Sequence, residues 1–371
     1  MLKMVEFFGK LCLAPMVRSG ELPTRLMALK YGADLVWSPE IVDKKIIKCD
    51  RVVNEDLKTI DFVEVANPEK VAFRTFPNVE RDKLIFQIGS ADPELAVLAG
   101  LKVVRDVAGI DLNCGCPKPF STHSGMGAAL LKTPDLLEQI LLNLVEKVGK
   151  PFNKPISCKI RLLNDDDPNP TIDLVNRICK TGILNLTLHC RTPSMRNREY
   201  PVRKFLPEII ASVSSHNVSL IVNGNIQSRN DLIKLQSLYG PKVGGMIAES
   251  AESNPTVFLN RPLPYNEVIY EFITIARKFR NHPSNTKYIL LNQLPGKSKY
   301  YQMFCQAKTN EEFLEIAEAL LNENDCKILF KFLQKDRLVN PIETIEMKKH
   351  DVDDRVDMGN KKKLKSLISA V

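Results

Sequence analysis

The sequence predicts an α/β fold: a (β/α)8, or TIM, barrel followed by an all-α helical domain. Eight short apolar or β-branched runs recur within about 250 residues, the usual span of such a barrel. Helical periodicity fills most of the gaps, as in 133–148, with apolar residues at Leu136, Leu137, Ile140, Leu141 and Val145. Near-continuous apolar strands between amphipathic helices imply a parallel sheet covered on its outer face. Eight such units fit a closed barrel better than an open doubly wound sheet.

Taken in order, each strand leads into polar or reactive residues. The first, 11–16, ends at Pro15 and Met16 with Val17 next, and the second is 33–39. The third, 84–89, carries Gln87; the fourth, 108–115, runs into Asn113 and Cys116. Lys159 and Arg161 lie on the fifth, 155–162, while the sixth, 183–190, ends at His189 and Arg191. The seventh, 219–226, holds Asn223, Gly224 and Asn225, and the eighth, 244–250, ends with Ala248 and Glu249. The C-terminal ends of barrel strands form the active face, so these residues should converge on one pocket. After "NPTVF" (254–258) the strands stop. The domains are therefore 1–258 for the barrel, 259–342 for the helices, and 343–371 for a charged, flexible tail.

Composition narrows the function classes. The 371 residues are 44% hydrophobic and 26% charged, ordinary for a folded soluble protein. No apolar run approaches the roughly 20 residues that cross a bilayer. A first strand at about Leu11 leaves little room for a removable presequence, so no membrane partner and a cytoplasmic location are expected, with the nucleus as a further compartment. Nine scattered cysteines argue against a secreted disulfide framework, and no Cys/His spacing fits a metal site. The net charge of +8 is unevenly spread. Between Glu271 and Lys308 stand Arg277, Lys278, Arg280, Lys287, Lys297 and Lys299, interleaved with Tyr288, Tyr300 and Tyr301, a mixture suited to phosphates and unstacked bases. The alternative is a solvated helix face.

The glycine-bearing turns 223–228 and 244–250 make a natural phosphate site at the barrel mouth, where backbone N–H groups can approach an anion. No P-loop or G-x-G-x-x-G is present. Flavin mononucleotide (FMN) suits the other residues: Gln87 for the flavin's amide edge and Lys159 for the negative charge of the reduced ring. Alone, Lys159 would read as a surface lysine and Gln87 as a satisfied core amide. Several such residues on different strand ends argue for a site.

The motifs "LAPMV" (13–17), "FQIGS" (86–90), "DLNCGCP" (111–117), "GMGAALL" (125–131), "CKIR" (158–161), "LHCRT" (188–192), "VNGNI" (222–226) and "NPTVF" (254–258) together resemble the tRNA-dihydrouridine synthases. Stretches 22–45 and 285–294 look like the eukaryotic branch that modifies uridine 20 of the D-loop. The resemblance implies an FMN barrel with a helical tRNA-binding domain, acting as a monomer. Its reaction would reduce the C5–C6 double bond of a uridine in tRNA with electrons from NADPH. Cys116 matches the family's proton donor, since a thiol of ordinary pKa near ~8.5 stays protonated at neutral pH. Pro15, Met16, Val17, Gln87, Asn113, Lys159, His189, Asn223, Gly224, Asn225, Ala248 and Glu249 would surround the cofactor. Arg161 and Arg191 would face the uracil, and Arg277 with Arg280, read as sharing a helix face, would meet tRNA phosphates. Cys114 is read as a small packing side chain, His123 as a loop surface residue, and 118–127 as a lid hinged on its glycines. One departure stands out: the family usually has arginine after the small residue at 248, and here it is Glu249. Two rivals are a flavin barrel acting on a free pyrimidine, which needs no basic helical domain, and a catalytically dead RNA-binding protein, which need not keep Cys116 and Lys159.

Overall fold

The alternation of apolar strands and amphipathic helices closes into a barrel in the computed structural model, which describes residues 4–296, 298–323 and 326–328. The strands are β1 (Leu11–Leu13), β2 (Leu35–Trp37), β3 (Ile41–Val42), β4 (Cys49–Asn54), β5 (Thr59–Glu64), β6 (Asn67–Thr75), β7 (Leu84–Gly89), β8 (Gly109–Cys114), β9 (Ile156–Arg161), β10 (Asn185–His189), β11 (Ser219–Asn223) and β12 (Gly244–Ile247). Parallel pairing runs β2-β1-β12-β11-β10-β9-β8-β7, and a β2–β7 pairing closes the circle; β3 adds to the far end of β7. The result is the eight-stranded TIM barrel, each strand within the range the sequence predicts. Helices α1 (Leu22–Lys30), α2 (Pro93–Val103), α3 (Pro134–Leu144), α4 (Asn169–Lys180), α5 (Leu206–Ser215) and α6 (Arg229–Tyr239) separate barrel strands.

The two-residue period of a strand sorts the side chains. On β9, Ile156, Cys158 and Ile160 face the helices, while Ser157, Lys159 and Arg161 fall on the other side. The register aligns Asp111 with Gln87 and Ser157, Asn113 with Lys159, and His189 with both Arg161 and Asn223. The interior is plugged by Cys12, Trp37, Ile85, Ile221 and Met246, with Met16 and Ala248 packed against them.

A separate antiparallel sheet, β4-β5-β6, is inserted between β3 and β7, an element the strand pattern does not predict. Its charged, alternating sequence lacks the apolar run of a barrel strand. Arg25 of α1 reaches the segment after β6, meeting Glu80 at 2.6 Å with both side chains fully buried, and donates to the Gly20 and Arg74 carbonyls.

Beyond the barrel come α7 (Tyr265–Lys278), α8 (Pro283–Gln293), α9 (Lys299–Gln306) and α10 (Asn310–Leu321). Phe272, Ile273, Leu290, Phe304 and Phe313 form their shared core, which Met27 of α1 joins. One expectation needs correction. Because α7 ends at Lys278 and Arg280 takes a left-handed φ of 50°, Arg277 and Arg280 do not share a helix face. The basic stretch is also less bare than its sequence implies: Arg277 pairs with Glu311, Arg280 with Asp56 and Lys299 with Glu323. Lys297, the end of the expected helical domain and the 343–371 tail lie outside the described residues.

Candidate active site

The inward side chains at the C-terminal strand ends meet at one mouth, beginning with a buried polar layer. Gln87, 1% exposed, donates through Nε2 to Asp111 at 2.8 Å, and Ser157 Oγ donates to the same carboxyl at 2.6 Å. With its NH2 donating to a carboxylate, Gln87 keeps its amide oxygen as an acceptor. Burial pushes Asp111 up to about 6, against the opposing pull of the Gln87 and Ser157 bonds and Lys159. Above this layer stands Lys159, whose ammonium is brought down to about 8 by burial first and Arg161 second. Burial also holds His189 well below the usual imidazole range, with Lys159, Arg161 and Arg191 adding to the effect, so its ring is neutral. Its Nε2 lies 3.0 Å from Arg191 Nη1, the acceptor of that donor.

Asn113 shapes the turn that carries the thiol. Its Oδ1 accepts the amides of Gly115 at 3.0 Å and Cys116 at 3.1 Å, leaving its NH2 for other partners. Cys114 and Cys116 diverge at this turn. Cys114, fully buried, belongs with Ile110 and Leu112 on the helix-facing side of β8, whereas Cys116 is half-buried at the mouth. Burial and Glu40 both push the Cys116 thiol up, so it is protonated at neutral pH. Glu40, which no sequence motif marks, stands beside this thiol. Its Oε1 accepts from Ser121 Oγ at 3.2 Å, and its Oε2 is buried without a bond of ordinary length beside Cys116 and Asn113. Burial raises this carboxyl too. The 118–127 loop is anchored at its centre by buried Ser121, and Gly125 and Gly127 both take positive φ at its end. His123 is exposed.

The predicted arginines are both buried but differently committed. Arg161 donates to the Gly115 carbonyl at 2.9 Å and the Thr192 carbonyl at 3.0 Å, bracing the Cys116 turn. Arg191 spends its other nitrogens on the Glu199 and Asn197 carbonyls, holding the 192–199 loop. Arg277 and Arg280 lie on the helical region and are not brought into this cluster.

The opposite side of the mouth is a small pocket lined by His189, Asn223, Gly224, Asn225, Ala248 and Glu249 among others. Asn223 Nδ2 donates to the Met246 carbonyl at 2.9 Å, tying β11 to β12. Gly224 has φ +101°, and a Cβ there would stand 2.8 Å from His189 Cδ2, so only glycine fits. Glu249 accepts from Asn197 Nδ2. Pro15 and Met16 are partly buried beside the mouth, and Val17 is exposed. Among the described residues no His/Cys/Asp/Glu cluster could hold a metal, and no helix is long and apolar enough to cross a membrane. This donor set fits a phosphorylated flavin. A glycine-built pocket lies at one end, a cation stands in the middle, and the Gln87 amide, held through its NH2 by Asp111, lies beneath.

Comparison with known proteins agrees with this geometry. Residues 12–334 match the model of the family described as "Dihydrouridine synthase (Dus)". The chain is 52% identical over 336 residues to the tRNA-dihydrouridine(20) synthase [NAD(P)+] of Saccharomyces cerevisiae, covering 87% of each protein. It is 46% identical over 340 residues to the Schizosaccharomyces pombe protein of the same name, covering 90% of this chain and 70% of that one. A human tRNA-dihydrouridine(20a/20b) synthase [NAD(P)+]-like protein is 30% identical over 267 residues, 72% of this chain and 76% of its own. With a family match across nearly all of the described residues and such relatives, this chain belongs to the dihydrouridine synthase family.

Proposed function

We propose that this chain is an FMN-dependent tRNA-dihydrouridine synthase that reduces the C5–C6 double bond of uridine 20 in the D-loop, with NADPH as electron donor. The observation that carries this reading is the placement of a half-buried, protonated Cys116 thiol on the same mouth as Lys159, Gln87 and the Gly224 pocket. When bound, FMN would supply hydride chemistry for C6 of the uracil. The chain's residues supply the rest. Gln87 accepts through its amide oxygen, Lys159 offsets negative charge, and the Gly224 turn holds the phosphate. Cys116 Sγ–H gives its proton to C5 as charge develops there, so one hydride and one proton add across the bond and a thiolate remains to be reprotonated. Arg161 keeps the Cys116 turn in place through the Gly115 carbonyl.

The relatives' names support tRNA as substrate and position 20 as the target. Helix α8 lies beside the mouth: Asn285 donates to the Arg18 carbonyl at 2.6 Å and Tyr288 to Glu252 at 3.2 Å. A tRNA held by the helical region would therefore reach the barrel opening. The experiment is turnover with an unmodified tRNA transcript against free uridine: dihydrouridine in the transcript alone supports the reading, and reduction of free uridine alone defeats it.

A further inference from the structure

Arg203 is an unusual group for the place it occupies. It lies just before α5, is 2% exposed, and donates through Nη2 to the Gly224 carbonyl at 2.7 Å and the Asn225 carbonyl at 3.3 Å. Its Nε and Nη1 are buried with no hydrogen-bond partner, and no carboxylate forms an ion pair with it among the described residues. The titratable groups it feels are Cys190, Asp231 and Tyr239. Asp231 is engaged elsewhere, accepting the Gln227 and Ser228 amides at the start of α6. A buried, unneutralised guanidinium is costly, and two carbonyls could be satisfied by a neutral amide.

The turn in front of Arg203 offers a reason. Gly224 and Asn225 both have positive φ, 101° and 57°. In a trans peptide the C=O and the following N–H point in opposite directions. Carbonyls of 224 and 225 turned toward Arg203 therefore turn the N–H groups of Asn225 and Ile226 away from it. Both residues line the pocket that also holds Glu249. Glu249 puts a negative charge on that rim, which by itself disfavours an anion.

We infer that Arg203 is the positioning residue that makes this pocket selective for a phosphomonoester, polarising the Gly224–Ile226 peptides from behind and offsetting the charge of Glu249. This rests on the flavin reading above and names how the phosphate end of that ligand is recognised. Arg203 does not itself touch the phosphate; it sets the direction and strength of the N–H groups that do.

The test uses flavin-stripped full-length protein and compares FMN with riboflavin, which lacks the phosphate, by fluorescence titration, with inorganic phosphate as competitor. The unaltered protein should prefer FMN strongly. Arg203→Met should cut the FMN-to-riboflavin preference by about tenfold or more and leave riboflavin affinity nearly unchanged, with inorganic phosphate competing less well. Arg203→Gln keeps donors for the two carbonyls without the charge, and should lose the preference as well. It keeps the test open if the Met variant does not fold. Variants that retain the full preference, or that lose FMN and riboflavin equally, would overturn the inference. An unaltered protein that binds neither flavin would instead defeat the cofactor reading.

Discussion

Replacing Lys159 with methionine removes one charge from the mouth while nearly keeping its length, and the structure sets the scale of the effect. The ordinary lysine value of 10.5 is brought down to about 8 by burial and Arg161. At about 1.4 kcal/mol per pH unit, holding this ammonium in the unliganded site costs roughly 3 kcal/mol. The cost is full below pH 8, where the folded group is charged, and fades between 8 and 10.5 as the folded group loses its proton first. At pH 7 the flavin-free variant should therefore be the more stable protein, by up to ~3 kcal/mol in urea unfolding, and this advantage should disappear above pH 10.5. The same cation is recovered as stabilisation when an anion binds, and most when the reduced flavin carries negative charge. The variant should thus bind FMN about tenfold more weakly and show a midpoint potential lower by up to roughly 60 mV for the two-electron couple. Potentiometric titration of the bound flavin reads this directly. An unchanged potential together with unchanged unfolding would refute the placement of Lys159 as the cation beside the reduced ring.

Cys116→Ala should lower single-turnover tRNA reduction by about a hundredfold or more while flavin binding and its reduction by NADPH persist, whereas Cys114→Ala should cost only about 1 kcal/mol of stability. Equal losses of activity in the two variants would contradict the assignment. Glu40→Gln removes the negative charge that, after burial, raises the Cys116 thiol. The thiol should then ionise at lower pH and the alkaline limb of the rate profile should move down with it; a limb that stays in place would show that Glu40 does not act on the thiol. Arg277→Ala and Arg280→Ala should each reduce the salt slope of tRNA binding by roughly 0.7 to 0.9 if the cation leaves its acid for a phosphate, and by nothing if Glu311 and Asp56 keep them.

The barrel was legible because parallel strands covered by helices read as continuous apolar runs, and the polar residues closing them are only a residue or two from their strand ends. The β4–β6 insertion was less legible, because a half-exposed hairpin mixes Asp, Glu, Lys and Arg into its pattern. Strand alternation places Cys114 with Ile110 and Leu112 on the helix-facing side, but it would place Cys116 there too; Cys116 escapes because the strand ends at Cys114 and Asn113 bends the chain into a turn. Glu40 and Arg203 were invisible because their roles depend on approaches across the barrel: Glu40 meets a serine 81 residues away, and Arg203 meets a turn 21 residues on. Apolar periodicity also continued past Lys278 into Phe279, giving no sign that the helix stops before Arg280.

The central claim is that the mouth of this barrel reduces a uridine held in tRNA. The most direct measurement incubates the flavin-loaded protein with NADPH and an unmodified tRNA transcript, maps dihydrouridine along the RNA and follows NADPH consumption. The account predicts dihydrouridine at position 20, one NADPH consumed for each one formed, and none with Cys116→Ala. Dihydrouridine absent from the transcript while NADPH reduces the bound flavin, or product formed equally well without Cys116, would contradict it.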